Sequence, residues 1–264
     1  MKRIRVAVVG GFTVDEIVEG NKVEERLGGS ALYTSLGIYR AGGTPEVFSV
    51  IGKDFKFNVP EFIVERKIEV REYSIRFRIV VQGNTRQLVL VKKVSPIRVN
   101  TEDLNDYDGV VINPVCREVC PNLDVNKRIA LDVQGLIRDC VENRPVTLTR
   151  TSLSPNKNFH VFHANDEELD SSGLSIDDLY SLGFNEVIIS HGSKGFTLYF
   201  QGREKEFVPS VQGTVNVGNG DFLLGYYFTK RLMGLDPISA ADNALRASED
   251  FSCWGITSLR GLWV

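Results

Sequence analysis

Strand-length apolar runs, rich in β-branched residues, alternate along this chain with stretches of helical periodicity, and this alternation constrains the fold more than any other feature. The runs are Ile4 to Val9, Val47 to Ile51, Val110 to Ile112, Ile129 to Asp132 and Val187 to Ser190, with a helix expected from Ser30 to Arg40 after the first. Strands apolar on both faces and separated by helices pack as a mostly parallel sheet covered on both sides. The expected class is α/β. At 264 residues, 42% of them hydrophobic, the chain can bury a full core as one unit spanning 1–264.

Two segments break the alternation. Val14 to Leu27 reads as a β-ribbon, while Ser74 to Val81 and Arg86 to Val91 alternate apolar with polar around Gln82-Gly83-Asn84-Thr85, the pattern of a hairpin. Strands inserted between helix-bearing units rarely enter the parallel layer, so 14–27 and 74–92 are expected to form a small lid sheet. The C-terminal third is plainer. Gly218-Asn219-Gly220 precedes an apolar-periodic helix from Asp221 to Met233, capped by Gly234, and Pro237 opens a second helix to about Cys253. Asp139 to Asn158 gives no clear pattern.

Charge and length exclude several classes. Lys and Arg total 31 against 34 Asp and Glu, a net charge of −3 that leaves no footprint for nucleic acid or an anionic membrane. The first apolar run stops at Gly10-Gly11, too short for a signal-peptide core, and no stretch approaches the roughly 18 apolar residues of a membrane span. A cytoplasmic protein with a small-molecule partner is expected. Cys116, Cys120, Cys140 and Cys253 form no Cys-x-x-Cys pair and read as ordinary thiols, with a Cys116–Cys140 disulfide left open. His160, His163 and His191 read as ordinary core or surface histidines; the first two lie three apart in an expected strand, on opposite faces, and cannot share a metal.

The densest chemical signal is Val217-Gly218-Asn219-Gly220-Asp221-Phe222. Glycines let successive backbone N–H groups point into one concavity, and the helix that starts there adds partial positive charge, so the turn suits a phosphate. A carboxylate beside such a site cannot serve as an anion ligand. It can accept the proton of a hydroxyl attacking phosphorus. The helix field is expected to keep Asp221 ionised and so to limit its basicity. Read locally, the turn is also an ordinary glycine-rich helix start, where Asp is common.

With the rest of the chain, this turn resembles the helix-starting Gly-Ala-Gly-Asp of the ribokinase-like (PfkB) carbohydrate kinases, closest in feel to archaeal and inositol-kinase-like members. The resemblance runs along nearly the whole chain, in order. It implies a three-layer α/β/α fold with a mostly parallel central sheet and a small β-sheet lid. It also implies ATP and Mg2+ as cofactors, and a small polyol acceptor: a sugar, a cyclitol such as myo-inositol, or a nucleoside.

By the same resemblance Asp221 is the base and Gly218, Asn219 and Gly220 form its anion loop. Asp15, Gly28, Gly29 and Ser30 match the acceptor site, and Asn165 and Glu168 the Asn-x-x-Glu that organises water around magnesium, although that spacing is also a capping box. Ser190, Gly192, Ser193 and Gly195 match the Thr-x-Gly-x-x-Gly beside the nucleotide phosphates, and Asn243 an adenine-pocket position. Gly52-Lys53-Asp54 resembles the family's Gly-x-Asp, Ile75 to Arg78 a lid strand, and Asp132, Gln134 and Arg138 are expected near the cleft. A dimer through the lid is expected because an exposed lid sheet pairs readily with its copy.

Three departures stand out. Asn216 replaces a threonine, Asn219 an alanine, and Tyr33 a frequent asparagine. They motivate an alternative: a catalytically impaired member that binds sugar or nucleotide as a sensor or partner subunit. A dinucleotide-dependent oxidoreductase, suggested by Val8-Val9-Gly10-Gly11, lacks the Gly-x-Gly-x-x-Gly spacing, and no Walker-type loop occurs.

Overall fold

The structure is a computed structural model and describes residues 3–82, 85–215 and 217–256. Nine strands form the central sheet: β1 (Arg5–Gly10), β4 (Thr44–Gly52), β5 (Val64–Arg71), β8 (Gly109–Asn113), β9 (Arg128–Asp132), β11 (Phe159–Asn165), β12 (Glu186–Ser190), β13 (Phe196–Phe200) and β14 (Arg203–Phe207). Their order is β14-β13-β12-β11-β9-β8-β1-β4-β5. From β12 to β5 every neighbour is parallel; at the other edge β12–β13 and β13–β14 are antiparallel.

The expected alternation is realised. Along β1, Val6 and Val8 enter one core and Ala7 and Val9 the other, which is why the run is apolar throughout. Helices α1 (Ser30–Arg40), α6 (Asn219–Leu232) and α7 (Pro237–Trp254) pack on the first face. The shorter α2 (Thr101–Leu104), α3 (Gln134–Ile137), α4 (Asp166–Ser172) and α5 (Ile176–Leu182) contribute to the second. The result is three layers.

A second sheet of five strands has the order β10-β7-β6-β2-β3, from β2 (Thr13–Glu19), β3 (Lys22–Gly28), β6 (Ile75–Gln82), β7 (Thr85–Lys92) and the two-residue β10 (Arg144–Pro145). This is the expected lid. Gly83 and Asn84, at the turn of its hairpin, lie outside the described residues. Asp54 braces its root, accepting from the Ser74 N–H at 2.7 Å and the Ser74 hydroxyl at 2.9 Å and pairing with Arg76 at 3.2 Å.

Two helices are brought unusually close over the sheet. A Cβ at Gly37 would fall 2.2 Å from the Phe222 carbonyl oxygen, and one at Gly225 would fall 2.3 Å from that of Thr34. The two glycines let α1 and α6 touch backbone to backbone, which fixes the start of α6 over the C-terminal ends of the central strands.

The ambiguous segment 139–158 is mostly irregular, tied down by β10, by an Arg138–Leu148 bridge and by a disulfide between Cys116 and Cys140. Cys120 and Cys253 are free. The reading of four ordinary thiols is thus corrected for one pair. Packing brings together two loops that chain spacing alone could not pair.

Candidate active site

Parallel strands all end on one side, and loops leaving those ends converge there. In this chain a cleft of about 750 Å³ lies at those ends. Five of its polar residues stand at or beside strand ends: Asp15 beyond β1, Asp132 closing β9, His163 and Asn165 closing β11, and Ser190 closing β12. Phe77, Ile79 and Leu88 of the lid roof one end. The other end runs between the 190–195 turn, the irregular residues 209–215 and the α7 residues Leu245, Ser248 and Ser252.

Asp221 sits between the two ends. It is the third residue of α6, and the first intrahelical bond is that of the Phe222 N–H to Gly218 O at 2.9 Å. The N–H groups of Asn219, Gly220 and Asp221 therefore have no intrahelical acceptor. Gly218 takes φ +79, and a Cβ there would lie 2.2 Å from the Tyr33 ring, so only glycine fits. The Asn219 amide turns back to donate to Val215 O at 2.6 Å. It braces the loop rather than filling the anion cradle. Asn216 lies outside the described residues.

The Asp221 carboxylate is held by one oxygen. Oδ1 accepts from Asn113 Nδ2 at 2.7 Å and from Gln134 Nε2 at 2.7 Å. Asn113 Nδ2 also donates to Thr34 Oγ1 at 3.0 Å, and Gln134 is set by Arg138, whose Nη2 donates to Gln134 Oε1 at 2.9 Å. Burial raises the Asp221 pKa to about 6, helped by the Asp132 charge and opposed by Asn113, His163 and Arg138. The expectation of a weakly basic, fully ionised Asp221 is corrected: loss of solvation outweighs the helix field.

His163 is the residue that sequence reading passed over. Its Nδ1 lies 2.7 Å from Asp132 Oδ2 and its Nε2 2.8 Å from Ser190 Oγ, and a Cβ at Gly220 would fall 2.6 Å from its Cε1. Burial pulls its pKa down, but the Asp132 charge and hydrogen bond outweigh that and the net shift is upward. His160 faces the far end of the sheet, beside Glu186, and His191 bridges Asp166 and Thr197. Among the described residues no group of three or more His, Cys, Asp or Glu could hold a metal ion.

The Asn165–Glu168 pair is a capping box in full: Asn165 Oδ1 accepts the Glu168 N–H at 2.8 Å, and Glu168 Oε2 the Asn165 N–H at 2.9 Å. Both still line the cleft. Burial raises Glu168 to about 7, with the Asp132 charge adding to it. Such carboxyls fit a magnesium ion carried on phosphates and held through water, not an all-protein cage.

At the roofed end Asp15 accepts from Thr13 Oγ1 at 2.7 Å, and burial raises its pKa to about 6. Gly29 and Ser30 line the cleft. Gly28 stands behind Asp15, where a Cβ would meet the carboxylate at 2.0 Å; it makes room for that group instead of lining the cavity. At the other end Ser190, Gly192, Ser193 and Gly195 line the cleft as expected, but Asn243 does not. It is exposed and bonds back to Ser239 O at 2.7 Å. The inward face of α7 is one helical phase away, at Leu245, Ser248 and Ser252.

Comparison with known proteins places this architecture. A solved pyrophosphate-dependent kinase of the ribokinase family, complexed with a pyrophosphate analog and myo-inositol, superposes with TM-score 0.79 at 17% identity, over 94% of each chain. The chain has the ribokinase fold. The same fold is seen in Arabidopsis thaliana ribokinase complexed with ribose and ATP, at TM-score 0.68 and 13% identity over 94% of this chain and 92% of that one. It recurs in a pyrophosphate-dependent myo-inositol-1 kinase converted into a myo-inositol-3 kinase by replacing an asparagine and a serine with leucines (TM-score 0.76, 17% identity, 94% and 92% covered). By sequence, the chain is 25% identical over 257 residues to inositol 3-kinase of Arabidopsis thaliana, covering 90% of this chain and 70% of that protein. No protein-family model matches. The resemblance carried by the motifs is borne out, and these relatives are small-molecule kinases. Among the described residues no helix is long and apolar enough to cross a membrane.

Proposed function

We propose that this chain phosphorylates a hydroxyl group of a small polyol, a cyclitol foremost, using ATP and Mg2+ with Asp221 as general base. One observation carries the reading: a carboxylate pinned by two side-chain amides stands at the open N-terminus of α6, midway along a cleft with a polar pocket at each end. The acceptor lies at the Asp15 and Ser30 end, and the donor phosphates meet the Asn219 to Asp221 N–H groups. The base of the nucleotide occupies the slot between Val211, Val215 and Leu245.

The acceptor oxygen attacks the terminal phosphorus while the bond to the bridging oxygen breaks, ADP departs, and the hydroxyl proton passes to Asp221. Asn113 and Gln134 hold the carboxylate so that its other oxygen faces the hydroxyl. Magnesium bound to the donor phosphates would neutralise charge on their oxygens, with Asn165, Glu168 and Asp132 holding it through water. The inward turn of Asn219 supports a working anion loop over the impaired, sensor-like alternative. The exposed lid edge β3, with Val23 66% exposed, supports pairing with a second copy.

The test is ADP release, and phosphate release from pyrophosphate in a parallel arm, across a panel of cyclitols, sugars and nucleosides. Ligand binding without turnover by any acceptor and either donor would favour the sensor reading.

A further inference from the structure

Asp221 is aimed by a chain of side chains that ends at a disulfide. Gln134 reaches it with an amide whose two ends differ: Nε2 donates to Asp221 Oδ1 at 2.7 Å and to Asn113 Oδ1 at 3.0 Å, while Oε1 accepts from Arg138 Nη2 at 2.9 Å. Turned over, the amide would press its oxygen against the carboxylate and its NH2 against a guanidinium, so Arg138 decides which end faces Asp221. Arg138 Nη1 donates in turn to Val115 O at 3.0 Å.

The carbonyl that anchors Arg138 and the backbone that carries it both stand outside the helices and the central sheet. Val115 lies in the bend after β8, where Arg117 takes φ +59, and Arg138 follows α3. On the near side of Arg138 the two segments are joined by the Arg117 N–H, which donates to Gly135 O at 2.9 Å. On its far side the covalent tie is the disulfide: Cys116 follows Val115 directly, and Cys140 stands two residues after Arg138. Cys116 is buried, but Cys140 is half-buried and open to a small thiol.

We propose that the Cys116–Cys140 disulfide is a redox-sensitive positioning device for the catalytic carboxylate: closed, it holds Arg138, and through Gln134 the direction of Asp221; opened, it slows turnover. This rests on Asp221 being the base, as read above. A dithiol opens the bridge. One thiolate attacks Cys140 Sγ, Cys116 leaves as a thiolate and takes up a proton, and the second thiol closes the reagent into a cyclic disulfide, releasing Cys140. Two electrons enter the protein and two thiols result. Arg138 then loses its fixed distance from Val115 O, and the Gln134 amide can turn. A misplacement of about 1 Å costs up to roughly 10²-fold in rate, and a partial one less.

The experiment assays the full chain with ATP, Mg2+ and myo-inositol, or the best acceptor of the panel above, before and after dithiothreitol. Thiol titration confirms that the bridge is open, and the temperature is one at which both forms keep their circular dichroism. Reduction should lower kcat about tenfold, leave KM for ATP within about twofold, and be reversed by reoxidation. Cys120→Ser with Cys253→Ser should respond as wild type does, because both thiols are free. Arg138→Ala, still bridged, should lose kcat to a similar extent and respond no further to dithiothreitol, since groups acting through one chain of contacts are not additive. That variant carries the test should the reduced protein unfold, and full kcat in it would then overturn the proposal. An unchanged kcat in reduced, folded protein overturns it too, as does an equal further loss when Arg138→Ala is reduced. An oxidised wild type without turnover on any acceptor and either donor overturns the kinase reading, and this proposal with it.

Discussion

Replacing Asp221 by Asn separates catalysis from stability, because the structure predicts opposite signs for the two. The Oδ1 position accepts two N–H bonds, from Asn113 and Gln134, so an amide at 221 must place its oxygen there and its NH2 toward the cleft. A proton acceptor becomes a donor without a change of shape. Turnover should fall by roughly 10²- to 10⁴-fold, or about 3–5 kcal/mol of barrier.

Stability should rise. Folding lifts the Asp221 pKa from 3.8 to about 6, so the native state binds this proton more tightly than the unfolded chain does. That stabilisation is complete below the unfolded value and is lost as pH climbs through 6. At pH 7.5 the native protein carries a penalty of up to about 3 kcal/mol, less where the carboxylate keeps contact with cleft water. The amide removes it, raising Tm by several degrees, and the gain should fade on lowering the pH to 4. Wild-type turnover should lose about tenfold per unit below pH 6 as the base is protonated. Calorimetric melts at pH 4 and 7.5 beside ADP release check both. Near-wild-type turnover would remove Asp221 as base, and a fall in Tm at pH 7.5 would refute the burial argument.

Glu168→Gln should raise the half-saturating magnesium concentration by about tenfold or more and, because burial holds this carboxyl at about 7, raise Tm at pH 7.5 as Asp221→Asn does, since a Gln oxygen can still accept the Asn165 N–H and keep the capping box; a magnesium titration reads the first and a melt the second. Gly218→Ala combines φ +79 with a Cβ 2.2 Å from the Tyr33 ring and should cost about 1–3 kcal/mol in a denaturant titration, with activity lost in step. Cys116→Ser with Cys140→Ser opens a bridge between residues 24 apart, worth about 3.5 kcal/mol by loop entropy. Denatured, unreduced protein should titrate two thiols of its four cysteines, and reduced protein all four.

Local signals made most of the fold legible. The apolar runs of β1, β8, β9 and β12 are buried on both faces, and residues 218–234 carry their own start and stop residues. β5 was not expected: as an edge strand bonded only to β4 it is charge-rich, and Val-Glu-Arg-Lys-Ile-Glu-Val-Arg reads as surface. The site divides the same way. Residues in turns, such as Gly218 and Gly192, announce themselves by backbone demand. Asn113 and His163 do not: Asn113 is the one polar residue closing an apolar strand, His163 is one of three polar residues on β11, and the partners of both come from far along the chain. Asn113 meets Asp221 across 108 positions and His163 meets Asp132 across 31. A polar residue closing an apolar strand of a parallel sheet was the available signal. Asn243 failed for a different reason: helix membership was right and helix phase was wrong.

The cleft also holds more negative charge than its fixed cations balance. Asp15, Asp132, Glu168 and Asp221 face it, with the Arg138 guanidinium among them and His163 against Asp132. Burial and mutual repulsion leave Glu168 at about 7, so roughly three quarters of it is protonated at pH 6.5 by ordinary titration. A divalent cation favours the ionised form and must expel that proton. Binding of a preformed magnesium complex of a non-hydrolysable ATP analogue should therefore release about three quarters of a proton at pH 6.5 and almost none at pH 9. Calorimetry in buffers of different ionisation enthalpy measures the number, and Glu168→Gln should abolish most of it while proton changes on the nucleotide remain. Equal release by wild type and variant would place the magnesium ion away from Glu168 and leave the capping box as that residue's whole role.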